Sequence, residues 1–180
     1  MQIESLLPGL LLIKPKVFED HRGHFFESFR EDAIQQHAPG VQFVQDNQSL
    51  SNKGILRGLH FQKAPHAQGK LVRVIKGAVL DVALDIRKSS PTYGQFVAVE
   101  LTGQNFQMMY IPPGFAHGFV TLEDQTIFAY KCTDYYHPEL EGGVLWNSPE
   151  LNIPWNIDNP TLSAKDTVLP TFAEFESPFE

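Results

Sequence analysis

Apolar residues along this chain recur mainly at every second position, in short runs. In AVLDVALDIR, residues 78–87, Leu80, Val82, Leu84 and Ile86 alternate with Asp81, Ala83, Asp85 and Arg87. Such alternation predicts a half-buried β-strand. Comparable runs are LLLIKP, GHFFESF, VQFVQDNQSL, ILRGLHFQ, KLVRVIK, GQFVAVEL, FQMMYIP, HGFVTL and TIFAYKCT. Gly77 and TGQN at 102–105 supply turns between them. Helical periodicity is scarce: REDAIQQHA predicts one short helix, and SAKD the start of another. Many short strands at close spacing predict an all-β sandwich, barrel or jelly roll. No repeat, low-complexity tract or break in composition divides the chain, so residues 1–180 are expected to form one domain. The stretch from Pro149 to Pro170 carries Trp155, Ile157 and Leu162, which predicts a tail wrapped onto the body and not a linker.

Composition narrows the class. An apolar share of 42% with 14 phenylalanines is enough to fill a core. No apolar run approaches the ~20 residues that cross a bilayer. The opening MQIESLLPGLLLIKP lacks a basic start and is interrupted by Pro8 and Gly9, so it does not read as a signal peptide. A single cysteine, Cys132, permits no internal disulfide and fits a reducing, cytoplasmic setting. The net charge of −7, without a basic block, argues against nucleic acid as a partner. A small anionic ligand is still compatible, because a few cations in a cleft suffice to hold it.

Candidate chemistry begins with ILRGLHFQ, residues 55–62. Arg57 and His60 are three apart, so a regular strand would send them to opposite faces. Gly58 lies between them, and glycine within a strand often marks a bulge that re-aims side chains. Nucleotide-binding glycine loops, a GxSxG elbow and an HExxH helix are all absent. Cys132 has no evident activating base and reads as a buried, inert thiol. The remaining polar residues in strand-like contexts also have plain structural readings. Asp166 follows Ser163 as in a capping box, Tyr130 fits a core aromatic with a satisfied hydroxyl, and Arg22 and Glu27 fit a solvated ion pair. IPPGFAHGFV, with His117, resembles the second sequence motif of metal cupins. The first motif is broken, since Phe61 and Gln62 follow His60 and the next histidine, His66, lies beyond Pro65. Two imidazoles without a clustered third ligand make a weak metal site, and no bound metal is expected.

The segments VFEDHRGHFFESF, FVQDNQS, LRGLHFQ, AQGKLVRV, IPPGFAHGFV, YKCTDYY and LSAKD occur in this order over nearly the whole chain. The series resembles the family of dTDP-4-dehydrorhamnose 3,5-epimerases. That resemblance implies a cupin-type jelly roll (a double-stranded β-helix) with a few short helices, working as a homodimer with neither metal nor other cofactor. It implies a dTDP-4-keto-6-deoxy sugar substrate, epimerised at the two carbons flanking the ketone. His60 matches the family's base, Asp166 its partner, Lys70 the cation at the ketone oxygen and Tyr130 the acid. Arg57 and Lys165 match contacts to the nucleotide or its diphosphate, and Tyr136 an aromatic that stacks on thymine. Arg22, Glu27, Gln45, Asp46, Asn47, His117 and Glu141 match further ligand-binding positions. The segment from Arg22 to Glu27 resembles one that reaches into the neighbouring subunit's site. Two other readings stay open at the level of sequence: a relative that inverts only one carbon, and a catalytically silent cupin that binds a metal or a nucleotide sugar.

Overall fold

The alternating segments pair into antiparallel sheets in the computed structural model, which describes residues 1–180. In chain order the first strands are β1 (Gln2–Leu7), β2 (Leu10–Lys14), β3 (Phe18–Asp20), β4 (Gly23–Phe25), β5 (Gln45–Ser51), β6 (Leu56–Gln62) and β7 (Lys70–Lys76). They are followed by β8 (Ala78–Asp85), β9 (Phe96–Thr102), β10 (Met108–Ile111), β11 (Phe115–Thr121), β12 (Thr126–Cys132) and β13 (Glu141–Gly143). One sheet runs β1-β2-β10-β7-β12-β5 and the other β13-β6-β11-β8-β9, while β3 and β4 form a separate hairpin. Strands distant in sequence lie side by side, as β2 with β10, β5 with β12 and β6 with β11. This wrapped connectivity, with the two sheets facing each other, makes the fold a cupin-type jelly roll. The helices are short: α1 (Glu31–Gln35) and two 3-10 turns, Pro138–Leu140 and Asp166–Val168.

Three apolar layers hold the sheets. Leu10, Val72, Met109 and Phe128 of the first sheet meet Val79, Leu101, Phe115 and Phe119 of the second in the interior. Ile34, Phe29 and Phe43 cover the outer face of the first sheet against Leu11, Ile13 and Leu71. The chain after β13 covers the outer face of the second, bringing Trp155, Leu151 and Phe175 against Leu59, Val82 and Leu84. The expectation of a wrapping tail is met, since Trp155 is buried and Ile157 and Leu162 pack on the same layer.

That tail corrects the reading of β8. The strand is not half-buried: Leu80, Val82 and Leu84 face the tail, and the opposite face, with Val79, Asp81 and Ala83, turns inward. Asp81 and Asp85 are therefore fully buried polar residues on a strand covered on both sides. Element ends differ in places too. GHFFESF is strand only over Gly23–Phe25, because β4 pairs with β3 alone. VQFVQDNQSL enters a sheet only at Gln45, since Val41 and Phe43 pack over the first sheet's outer face.

Candidate active site

Arg57 and His60 share one cleft, and a bulge explains why. Across β6 and β11 the register runs His60 to His117, then Arg57 to Phe119, so three steps on β6 match two on β11. The extra residue offsets the alternation and turns both polar side chains the same way. Gly58 makes the close approach possible: its φ is +125°, and a Cβ there would lie 2.5 Å from Gly118 Cα and 2.7 Å from the His117 carbonyl oxygen. Gly118 is equally constrained, with a Cβ falling 2.7 Å from the Arg57 carbonyl oxygen. The two strands touch main chain to main chain beside His60.

His60 Nε2 lies 2.5 Å from Asp166 Oδ1, although the residues are 106 positions apart. The Asp166 side chain is 2% exposed and His60's 21%, so the dyad opens to solvent only through the imidazole. Burial pulls the Asp166 carboxyl pKa upward, but hydrogen bonds from His60 and Ser163 outweigh it and hold the group below the usual carboxylate value. An ionised Asp166 accepts from Nε2–H, which fixes the imidazole tautomer and leaves the lone pair on Nδ1. The expected capping box is met only in part: the Asp166 amide donates to Ser163 Oγ at 3.3 Å, but Asp166 Oδ2 accepts from the Ser163 hydroxyl at 2.9 Å and not from its amide. Ser163 and His60 therefore share the Asp166 carboxylate.

The cleft has a volume of about 780 Å³ and lies between the sheets. Phe119 and Phe128 stack at 4.1 Å in its lining. From the second sheet come Arg57, His60 and His117; from the first come Gln45, Asn47, Lys70 and Tyr130; Tyr136, Glu141, Lys165 and Asp166 stand around them. Lys70 Nζ sits 6.0 Å from the centre of the Tyr130 ring. Burial pushes the Lys70 ammonium pKa down, with Cys132, Glu141 and Asp81 opposing. Such an under-solvated cation gains more from a developing anion than one already hydrated. Burial pushes the Tyr130 phenol up, so it keeps its proton through the physiological range. Toward the rim, Lys165 Nζ donates to Glu141 Oε1 at 2.7 Å and Tyr136 Oη to Oε2 at 2.9 Å. Burial would raise the Glu141 carboxyl, yet these two bonds hold it low.

Three of the sequence-derived ligand residues lie outside this cleft. Asp46 alternates with Gln45 and Asn47, so it points to the other side of β5, where Lys131 Nζ binds both its oxygens at 2.9 Å. Arg22 sits in the β3–β4 hairpin, paired with Asp20 and largely exposed. Glu27 follows that hairpin, 3.7 Å from Arg30. Conversely, Asp81 was absent from the sequence-derived set. Both its oxygens lie 3.0 Å from His117 Nε2, and burial lowers the His117 pKa against the pull of this carboxylate. The sequence shows an aspartate alternating with bulky apolar residues, but that the strand packs on both faces is visible only in the fold. Gln62, Gln68, Ser49, Thr161 and Ser163 complete the polar lining.

Comparison with known proteins places the chain in a family. Residues 4–174 match the family model for dTDP-4-dehydrorhamnose 3,5-epimerase. The enzyme of that name from Salmonella typhimurium is 51% identical over 170 residues, 93% of each chain. The dTDP-6-deoxy-D-glucose-3,5-epimerase of Legionella pneumophila, solved in complex with dTDP-4-keto-L-rhamnose, superposes with a TM-score of 0.92 at 46% identity, covering 97% of this chain and 94% of that one. A 3'-monoepimerase from Streptomyces bikiniensis, solved with dTDP-quinovose, is more distant in sequence at 34% identity, with a TM-score of 0.89 and coverage of 94% and 87%. The chain belongs to the dTDP-4-dehydrorhamnose 3,5-epimerase family.

Proposed function

We propose that this protein epimerises dTDP-4-dehydro-6-deoxy-D-glucose at carbons 3 and 5, giving dTDP-4-dehydro-L-rhamnose for dTDP-L-rhamnose biosynthesis. The observation that carries the reading is the placement of the two proton-transfer groups on facing sheets. His60 stands on β6 and Tyr130 on β12, with the cleft between them. A sugar held there presents one face to the imidazole and the other to the phenol.

Hydrogens on carbons 3 and 5 are acidified by the ketone at carbon 4. His60 removes one through Nδ1, and Asp166 stabilises the imidazolium that forms. Lys70 balances the charge developing on the carbon-4 oxygen, a contribution of about 3–4 kcal/mol by comparison with oxyanion-hole donors. Tyr130 then donates to the far face of the enolate, which inverts the carbon. Repeating the cycle at the second carbon needs neither redox chemistry nor a cofactor. Arg57 and Lys165 hold the diphosphate or nucleotide, Tyr136 stacks on the thymine, and Gln45, Asn47, His117 and Glu141 orient the remainder. Residues 1–180 act as one domain in the cytoplasm.

Solvent-deuterium labelling tests this reading. In D₂O the product should carry deuterium at both carbons, with the turnover unchanged after dialysis against a chelator. Label at one carbon would instead identify a single-site epimerase, and no label a silent binding protein. The greater identity to the double epimerases favours the first outcome.

The working unit in this proposal is a homodimer in which the Arg22–Glu27 segment enters the partner's cleft. Phe18 and Phe25 on that hairpin are 53% and 67% exposed in the single chain, an apolar surface that association would cover. Light scattering should give twice the mass of one chain. A monodisperse monomer with full activity would refute the assembly.

A further inference from the structure

Beside the cleft, His66, Asp134 and His137 form a cluster in which the mechanism has no part. We propose that these three residues bind a divalent transition-metal cation of the zinc, cobalt and nickel class. One ligand atom from each lies within 4.8 Å of the others. His66 Nδ1 is 3.1 Å from Asp134 Oδ2, and the imidazoles of His66 and His137 stack at 3.9 Å with 14° between their planes. Tetrahedral zinc with ligand bonds of 2.0–2.2 Å separates its donors by about 3.4 Å. The widest pair therefore has to approach by little more than about one ångström, a distance that side-chain rotation covers. Two imidazoles and one carboxylate suit this class of ion and not magnesium or calcium, which favour oxygen ligands throughout.

Two further features favour a site over a chance cluster. His137 Nδ1 lies 3.1 Å from Glu139 Oε1. Donation to that carboxylate fixes the tautomer with the lone pair on Nε2, the outer partner that metal-bound histidines usually have. Gln62, itself 4% exposed, fixes the main chain on both sides. Its amide donates to the His66 carbonyl and, at 2.9 Å, to that of Tyr135, while its Oε1 accepts from the His137 amide at 2.8 Å. The ligands thus sit on loops already aligned, and less ordering accompanies binding. The ion would join the β6–β7 loop to the segment after β12, which carry Gln68 and Tyr136 to the cleft.

The test uses the untagged full chain, stripped with chelator and then titrated with CoCl₂ and ZnCl₂. Calorimetry should give one equivalent per chain, and cobalt a visible band of tetrahedral intensity. Replacing His66 and His137 together with Gln should weaken binding more than about 100-fold, and Glu139→Gln about 10-fold. Asp134→Asn keeps a side-chain oxygen for the Tyr135 amide and removes the charge, so it should lose affinity while melting like the wild type without metal. Absence of saturable binding by the wild type would overturn the proposal. So would equal affinity in the double-Gln and Asp134→Asn proteins, which would place the ion elsewhere, for example at His60 and His117.

Discussion

A His60→Asn protein is expected to lose both epimerisation and the exchange of substrate hydrogen with D₂O. Every route to the enolate begins with proton removal, and the cleft offers no replacement of suitable basicity. Burial raises the Tyr130 phenol so that it keeps its proton, Lys70 is assigned to the ketone oxygen, and the His117 imidazole is committed through Nε2 to Asp81. A positioned base contributes about 10²–10⁴-fold, so turnover should fall at least into that range and exchange should fall with it. Asparagine retains a polar group beside buried Asp166, which limits damage to the fold. Binding of dTDP should persist, because the nucleotide contacts lie on other residues. Deuterium entering the substrate at the wild-type rate would remove His60 from the mechanism.

A Tyr130→Phe protein should separate the two halves of the reaction. His60 and Lys70 still form the enolate, so some exchange continues as protons return to the face they left. Inverted product requires delivery from the first sheet, where the phenol has gone, and its formation should drop by about 10²–10⁴-fold. Loss of the hydroxyl leaves the packing against Phe128 in place, at a ring separation of 6.1 Å. Mass spectrometry of recovered substrate and product reads both quantities in one experiment. Native production of the inverted sugar would exclude Tyr130 as the acid and turn attention to Tyr136. That residue is a poorer donor by geometry, since its hydroxyl is bound to Glu141 and its side chain stands at the exposed rim.

Legibility in the sequence varied with the range of the interaction. Alternation found most strands because it is a local property, and Gly58 between Arg57 and His60 announced the bulge before any partner strand was known. It misjudged β8, because whether a second face is buried depends on a tail that joins it from the far end of the chain. The same blindness hid Asp81, whose role follows from the contact its side chain makes with His117 across the β8–β11 ladder, although the residue directly opposite it is Phe119. Asp166 could not be matched to His60 by spacing across 106 residues. Only the resemblance of the ordered motifs linked them, and the fold brings them together. Asp46 shows the reverse error, since motif matching took three consecutive residues where a strand can aim only alternate ones into one cleft. Arg22 and Glu27 lie outside the cleft of the single chain, and their place in a site rests on the proposed dimer.

The contact between Gly58 and Gly118 has a consequence for how such an enzyme can diversify. Hard main-chain atoms fix the separation of β6 from β11, so the depth at which His60 sits is insulated from exchanges among the surrounding core side chains. The same contact makes the floor of the cleft resistant to redesign, because any side chain at either position forces the strands apart. New substrate preferences have more room at the border, in residues 133–141 and 161–166, which lie mostly outside the two sheets. The architecture divides into a rigid anvil beneath the residues proposed for proton transfer and an editable margin for recognition.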